Sequence, residues 1–528
     1  DRREALGMKS PKLAFMVHSN ATATAENIYN TFYKDSKYDK YWFEYEGKPL
    51  LLGNKAEISH TLVKGLVDRF TFRNSWAWMG GANADEWAWL EYYPQRPGWT
   101  SVYNSILGTT VKKTEQISVS VAQHATTKVG KSYHGGKQPA YDKYGLCEET
   151  PYGLYFQEQW NHAIDVHPPI VMVTQFNEWI AQRFVIRNQG EYGNIRPGAT
   201  AKIGETYFVD VYNAEFSRDL EPGTHPLIRD NYYLQLVSNT RKYRGVNKIP
   251  VPTVNLSIDI NGDFSQWDAE PVEYRDDKGD VAYISRDVQT AETLERKSND
   301  IVMAKVTKDA GNIYFYVETM DDISDFESSK YWMRLLLNTD TDYTTGWGGY
   351  DYMVYKDAAT GKYSLMKNRQ DKFLWETVTP VEYKVVGNRM QVSVPRAALG
   401  LAGDRDIDFK WADNITDNDP DIMTFISDGD VAPNGRFNYR YKGASLPSAV
   451  SRVEKDDTNF TITCPDGNVA FSYNDSAEVS IQVFDIMGRM MKSIEEPGHG
   501  ARMMLDDGVY MTRYSLDGRS GMQKFVVR

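Results

Sequence analysis

Val171-Met172-Val173-Thr174-Gln175-Phe176-Asn177-Glu178-Trp179 decides how the first half of this chain is read. Apolar and β-branched residues run up to Thr174 and then give way to an amide, a carboxylate and an indole. That pattern is a buried strand whose last residues turn outward into a pocket. In a barrel of parallel strands the catalytic groups sit at the carboxyl ends. Asn177, Glu178 and Trp179 at one strand end suit a sugar, through hydrogen bonds, acid–base chemistry and a flat stacking face.

On either side of this stretch, strand-like runs at 12–17, 49–52, 69–72, 117–122, 170–174 and 207–211 alternate with helical spacing at 25–33, 155–164 and 231–243. Strands alternating with helices imply a parallel sheet with crossover helices. The expected fold over 1–247 is therefore an α/β barrel of the (β/α)8 type. About six strands are countable where a closed barrel needs eight. The last helix runs into a Pro-containing linker, Lys248-Ile249-Pro250-Val251-Pro252, which places the shortage at the amino end. Asp1-Arg2-Arg3 lacks an initiating Met, and one or two strands are expected to precede it.

Polar and aromatic residues collect where the runs end. His18 and Asn20 follow the first, Asn54 the second, and Arg73, Asn74 and Trp76 the third. Gln123 and His124 follow the fourth, and Tyr212 and Asn213 the last. Any one of them is explained as a polar residue capping a strand; together at one end they mark a site. Glycoside hydrolysis needs two carboxylates on opposite sides of the scissile bond. Glu178 is the first candidate catalytic carboxylate, against the plainer role of a helix-start acid favoured by the helix dipole. Glu91, in Trp87-Ala88-Trp89-Leu90-Glu91-Tyr92-Tyr93-Pro94-Gln95, is the second. Candidate substrate-binding residues are Asn177, Trp179, Trp76, Trp89, Asn74, Gln123, His124 and Tyr212, the indoles being alternatively core residues.

Composition excludes several classes. The 528 residues carry a net charge of −12, which argues against nucleic acid, whose phosphates need a basic face. No apolar run approaches the length of a transmembrane helix. Cys147 and Cys464 are the only cysteines and lie 317 positions apart, which argues against a disulfide framework or a thiolate metal site. The 8 histidines show no paired zinc spacing; His162 and His167 are five apart and do not share a helix face. No cofactor is expected for catalysis.

At this point the chain resembles known families. The Phe176-Asn177-Glu178-Trp179 strand end looks like that of glycoside hydrolase families 99 and 71, the endo-α-mannosidases and mannanases and the α-1,3-glucanases. More widely, 11–246 resembles an uncharacterised group of secreted bacterial glycan-degrading proteins. That likeness rests on Tyr41-Trp42-Phe43 with Gly47-Lys48-Pro49-Leu50, on Trp89-Leu90-Glu91 with Tyr93-Pro94-Gln95, and on Phe216-Ser217-Arg218-Asp219-Leu220-Glu221-Pro222 before Asp230-Asn231-Tyr232-Tyr233. One departure matters. Family 99 carries a second Glu three positions after the first, and here that position is Ala181. The family's adjacent carboxylate pair therefore does not carry over, and the partner of Glu178 has to be Glu91 or an acid on the expected upstream strands.

After the linker the texture changes to short alternating runs punctuated by Asp, Asn and Gly, an antiparallel β-sandwich pattern over 255–443. Ile258-Asp259-Ile260-Asn261-Gly262-Asp263-Phe264-Ser265-Gln266-Trp267 and Asn338-Thr339-Asp340-Thr341-Asp342 resemble carbohydrate-binding module family 9. Asp340 and Asp342 are the candidate calcium ligands there, since hard Ca²⁺ takes several oxygens, against a plain Asp-rich turn. Trp332, Trp347 and Trp411 are candidate sugar platforms. The last segment, 459–528, is all strand and turn, and its Val483-Phe484-Asp485-Ile486-Met487-Gly488-Arg489, Gly508-Val509-Tyr510 and Lys524-Phe525-Val526-Val527-Arg528 resemble the type A sorting domain of the type IX secretion system of Bacteroidota. That likeness implies export through the periplasm to the cell surface or medium, with the secretion machinery as a partner. The expectation is a multidomain secreted glycoside hydrolase acting on a polysaccharide or glycan; the alternative is a catalytically inactive secreted or cell-surface glycan-binding protein.

Overall fold

A computed structural model describes residues 2–121, 123–125, 128–131, 150–174, 176, 183–187, 202–208, 220–222, 228–284, 293–295, 299–401, 403–416, 421–443, 460–464, 468–473, 479–485, 490–495, 502–505, 508–516 and 519–527. Contacts divide the chain into two units, Asp1–Ala444 and Ser445–Arg528. The described residues are mostly β-sheet with few helices.

The first sheet contains β1 (Phe15–Met16), β2 (Glu44–Tyr45), β3 (Lys48–Leu52), β4 (Thr71–Trp76), β5 (Glu86–Ala88), β6 (Gly98–Asn104), β7 (Thr109–Val119) and, after a ribbon of β8 (Gln123–Ala125) and β9 (Lys128–Lys131), β10 (Ile170–Val173). Its order is β1-β3-β4-β5-β6-β7-β10, with β2 on β3. β1, β3, β4 and β5 pair in parallel, as do β7 and β10. β6 runs antiparallel to both β5 and β7. All six strands other than β2 and β6 therefore point the same way. The sheet curls into a half-barrel. Leu50 and Leu52 of β3 share an apolar cluster with Trp87 of β5 and with Ile170 and Met172 of β10, at the far end of the strand order.

Sequence dictates which parts of these strands are covered. β3 is Lys-Pro-Leu-Leu-Leu, and its four residues after Lys48 are all buried, as strands covered on both faces are. In β7 the half rich in Thr and Lys is exposed or half-buried, whereas Glu115 to Val119 are all buried. Two helices cover the outer face. α1 (Ala21–Ile28), prolonged by a π-helical turn over Tyr29–Tyr33, packs on Leu51 and Phe72. α2 (Leu154–Val166) turns Phe156, Trp160 and Ala163 onto Ile117, Val119 and Val121 beyond the end of β7, beside Tyr232 of α3 (Asn231–Arg244). Gly153 precedes α2 at φ 57°, and a Cβ there would stand 2.2 Å from Gln235 Oε1. The positive φ favours glycine there, and a side chain would also displace the end of Gln235.

The expected strict alternation of strand and helix is not what forms between β4 and β7. A bend and an antiparallel hairpin replace the crossover helices, and the expected strand at 207–211 is described only as β12 (Thr206–Phe208), paired antiparallel with β11 (Arg183–Val185). Closure of an eight-stranded barrel is not seen among the described residues.

Within the same unit two antiparallel sheets pack face to face. One, ordered β13-β16-β17-β23-β22, comprises β13 (Tyr274–Arg275), β16 (Ile301–Lys308), β17 (Asn312–Thr319), β22 (Glu382–Val386) and β23 (Arg389–Pro395), with a ribbon of β14 (Ala282–Ile284) and β15 (Thr293–Glu295) between the first two in sequence. The other, ordered β21-β20-β19-β18-β24-β25 with β26 also on β24, comprises β18 (Arg334–Asn338), β19 (Tyr352–Lys356), β20 (Tyr363–Arg369), β21 (Lys372–Pro380), β24 (Ile407–Asp413), β25 (Asp430–Ala432) and β26 (Tyr439–Tyr441). Val306, Phe315 and Val392 of the first meet Leu335, Leu337 and Phe409 of the second. Leu336, between the two inward leucines, points to a second cluster on the opposite face with Trp347 and Phe425. Side chains alternating along a strand explain that split.

Asp230 joins the half-barrel region to this sandwich. It occupies the N-cap position of α3 without capping it; its carboxylate instead accepts from Arg436 Nε at 2.8 Å and from Nη2. Arg229 pairs with Asp421 beside it. The Ser445–Arg528 unit holds β27 (Thr461–Thr463), β28 (Asn468–Ser472) and β31 (Arg502–Met504) in one sheet and β29 (Val479–Asp485), β30 (Met490–Glu495), β32 (Gly508–Leu516) and β33 (Arg519–Val527) in another, around Val469, Phe471, Ile481 and Val483. No described helix is long and apolar enough to cross a membrane.

Candidate functional site

Because β1, β3, β4, β5, β7 and β10 run the same way, their carboxyl ends share one rim of the half-barrel. Aromatic residues gather there. The imidazole of His18, past β1, lies flat on the indole of Trp76 at the end of β4, with ring centroids 3.6 Å apart and planes 23° apart. Trp89, past β5, meets Trp76 edge-on at 5.9 Å. Trp76 is 37 % exposed, so it is not core, and the three rings form an open corner.

Glu91 lies two residues past Trp89 in the loop after β5. It is 2 % exposed, and both oxygens are engaged: Oε2 accepts from the Gly80 amide at 3.0 Å and Arg96 Nη2 at 3.1 Å, and Oε1 accepts from the Tyr92 amide at 3.0 Å. The loop it belongs to is fastened to α2. Gln159 donates to the Glu91 carbonyl at 2.9 Å and accepts from the Ser120 amide at 2.8 Å, while Gln95 Nε2 donates to the carbonyls of Ser118 and Gln159. His162 Nε2 contacts the Gln95 carbonyl at 3.0 Å.

The other expected residues scatter. Asn74 does not join the aromatic corner; it lines a separate open cleft of about 410 Å³ with Asn54, Lys55, Asp85 and Glu86. Asn54 caps the helical turn Lys55–Ile58, accepting from the Ala56 amide at 3.0 Å. Gln123 and His124 lie on β8 rather than on the end of β7. Asn177, Glu178, Trp179, Ala181, Tyr212 and Asn213 lie outside the described residues. β10 ends at Val173 on the rim, and the chain continues from there toward Glu178.

Inside the half-barrel, Arg73 of β4 bridges to Glu115 of β7 at 2.6 Å through both Nε and Nη2, and Trp87 Nε1 donates to the same carboxylate at 2.9 Å. Burial works against the Glu115 charge, yet the hydrogen bonds from Arg73 and Trp87 outweigh it and hold this acid below the usual carboxylate range.

In the sandwich, the indoles expected to stack on sugar do not. Trp332 is 1 % exposed, Trp411 fully buried and Trp347 nearly so, all within the two apolar clusters. A buried indole offers no face to a ligand. Asp340 and Asp342 form a turn: Asp340 Oδ1 accepts from the Asp342 amide and Asp342 Oδ1 from the Thr344 amide, each at 2.8 Å. Carboxylates converge elsewhere. Oxygens of Asp280, Asp300 and Asp430 lie within 4.8 Å of one another. Burial first, then the neighbouring Asp280, raises the Asp430 carboxyl well above its ordinary value. Burial and the same Asp280 push Asp276 up to about 7. Burial pushes the Lys410 amine down to about 7, where it donates to the Pro433 carbonyl. No sequence spacing announces this cluster: Asp280 and Asp300 are 20 positions apart, and Asp430 joins them from 130 positions further on.

No protein-family profile matches the chain, and no curated protein matches it. Among solved structures it is similar to HBP35 of Porphyromonas gingivalis, at 13 % identity and a TM-score of 0.15 over 43 % of this chain and 59 % of that one. It is also similar to Faecalibacterium prausnitzii beta-glucuronidase, at 13 % identity and a TM-score of 0.12 over 47 % of this chain and 40 % of that one. The chain thus spans less than two thirds of either protein, and likenesses this slight carry no argument about fold or function.

Proposed function

We propose that this chain is a secreted glycoside hydrolase acting on a polysaccharide or glycan, with Glu178 as one catalytic carboxylate and the half-barrel as part of a (β/α)8-type barrel. One observation carries the proposal: six strand ends share a rim, among them that of β10, and a His18–Trp76–Trp89 corner with Trp76 exposed stands on it. Aromatic faces and strand-end carboxylates are what sugar binding and glycosidic cleavage require. In this scheme Asn177 orients a hydroxyl and Trp179 shapes the subsite. Purified full-length protein is to be screened on α-linked mannans, glucans and host glycans beside Glu178→Gln; release of reducing ends by the parent and its loss in the variant, with binding kept, is the expected result.

The second reading, a glycan-binding protein without turnover, is favoured by the engagement of both Glu91 oxygens and by Ala181. Binding without release by the parent selects it. The carboxyl-terminal unit serves in either case as the type IX sorting signal. For calcium in the sandwich, Asp280, Asp300 and Asp430 are better candidates than Asp340 and Asp342, because one oxygen from each of the three converges within 4.8 Å, as a hard cation with several oxygen ligands requires. A rise in melting temperature with Ca²⁺ over EDTA, absent in Asp430→Asn, is expected; no difference rejects calcium there.

A further inference from the structure

Building on the glycan site proposed above, we infer that Glu91 is a positioning residue that presets the Trp76–Trp89 corner, not the second catalytic carboxylate. Two rim loops meet at Glu91: the one after β4, through Gly80, and the one after β5, through Tyr92 and Arg96. The same loops are joined again where the Trp78 amide donates to the Leu90 carbonyl at 2.6 Å and Arg96 Nη2 to the Trp78 carbonyl at 3.3 Å. Trp76 is two residues from Trp78, and Trp89 two from Glu91, so the clamp holds the backbone two residues from each ring. The fit is close: a Cβ on Gly80 would stand 2.3 Å from the Arg96 carbonyl oxygen and 2.7 Å from Glu91 Oε2.

A general acid must point an O–H at the leaving oxygen, and a nucleophile must point a lone pair at the anomeric carbon. Glu91 points both oxygens at amides and a guanidinium, and its side chain is closed to solvent. What it does supply is rigidity, which lowers the ordering cost of ligand binding.

The test compares Glu91→Gln, Arg96→Ala and the double variant in the full chain. Arg96 is itself more than half exposed, and its removal loosens the clamp by leaving the buried Glu91 carboxylate to the Gly80 and Tyr92 amides. The clamp predicts that both single variants raise KM or weaken glycan affinity with kcat within about tenfold of the parent, and that the double variant is no worse than the poorer single, as coupled groups behave. It also predicts faster hydrogen exchange at the Gly80 and Tyr92 amides in both singles. A kcat loss of about 10²–10⁴-fold confined to Glu91→Gln, the range for losing a general acid, overturns it. So does unchanged exchange at those two amides. Exchange and affinity need no turnover, so a parent that hydrolyses nothing rejects the enzyme reading while the clamp remains separately decided.

Discussion

Arg73 and Glu115, 42 positions apart in sequence, face each other in a bidentate ion pair inside the curled sheet, with Trp87 as a third hydrogen-bond donor and Glu46 beside the guanidinium at 3.0 Å. Parallel strands normally fill such a space with aliphatic layers. Here a charge pair ties β4 to β7, which β5 and β6 separate in the sheet order.

Removing one partner strands the other. Arg73→Met leaves the fully buried Glu115 without its cation and is expected to cost about 3–5 kcal/mol, the range for breaking a buried pair. Replacing both, as Arg73→Met with Glu115→Leu, is expected to recover most of that loss. Denaturant unfolding of the three proteins checks it; a single-variant cost below about 1 kcal/mol would show that the pair is not needed.

The same pair sets an acid limit. The folded-state value of Glu115 lies below its unfolded value, so its stabilising contribution is full above about pH 4.5 and is lost as pH falls through the depressed folded value. Acid unfolding of the Arg73→Met/Glu115→Leu protein should therefore be less steep below pH 4.5 than that of the parent. Parallel acid limbs in the two proteins would assign the sensitivity to other carboxylates.

His18 covers one face of Trp76. If a glycan uses the corner, Trp76→Ala weakens its binding by about 0.5–1.5 kcal/mol, roughly two- to tenfold, the scale of one aromatic contact. His18→Ala frees that face and shifts tryptophan emission to longer wavelength. Affinity gels with the glycan that the parent retains, and steady-state fluorescence, measure the two effects.

Arg436→Ala leaves Asp230 buried and unpaired. The expected loss is below the ~3–5 kcal/mol of a fully buried pair, because a quarter of Arg436 is exposed. Asp230→Asn in the same background restores part of it, and thermal melts of the pair of variants read this out.

Much of the half-barrel was legible because burial leaves a plain signature. The all-apolar Leu50-Leu51-Leu52 and Ile170-Val171-Met172-Val173 became β3 and β10, and the helical spacings at 155–164 and 231–243 became α2 and α3. The β5–β6–β7 excursion was not legible. Gly98 to Lys113 is too polar to announce a buried strand, and its pairing is local hairpin chemistry that the periodicity of a parallel sheet conceals. Of the site, Trp76 is legible as a strand-end aromatic, Trp89 as part of an aromatic loop and His18 as a strand-end residue, but the stacking of His18 on Trp76 is not. Glu91 stood out by its aromatic surroundings, but its hydrogen-bond partners come from another loop and no spacing reveals them. Trp332 and Trp411 misled for the converse reason: composition marks an indole as a sugar platform or a core residue alike, and only the facing sheet decides.

The Asp230–Arg436 bond spans 206 residues of sequence, and that separation becomes a delay when the protein is made. At about 5–20 residues per second on the ribosome, Arg436 is synthesised roughly 10–40 s after Asp230. Throughout that interval the first turn of α3 holds a carboxylate that does not cap its own helix and has yet to meet Arg436. The amino-terminal region thus reaches its final state late, when the sandwich arrives, and a nascent chain released early is left with that acid unanswered.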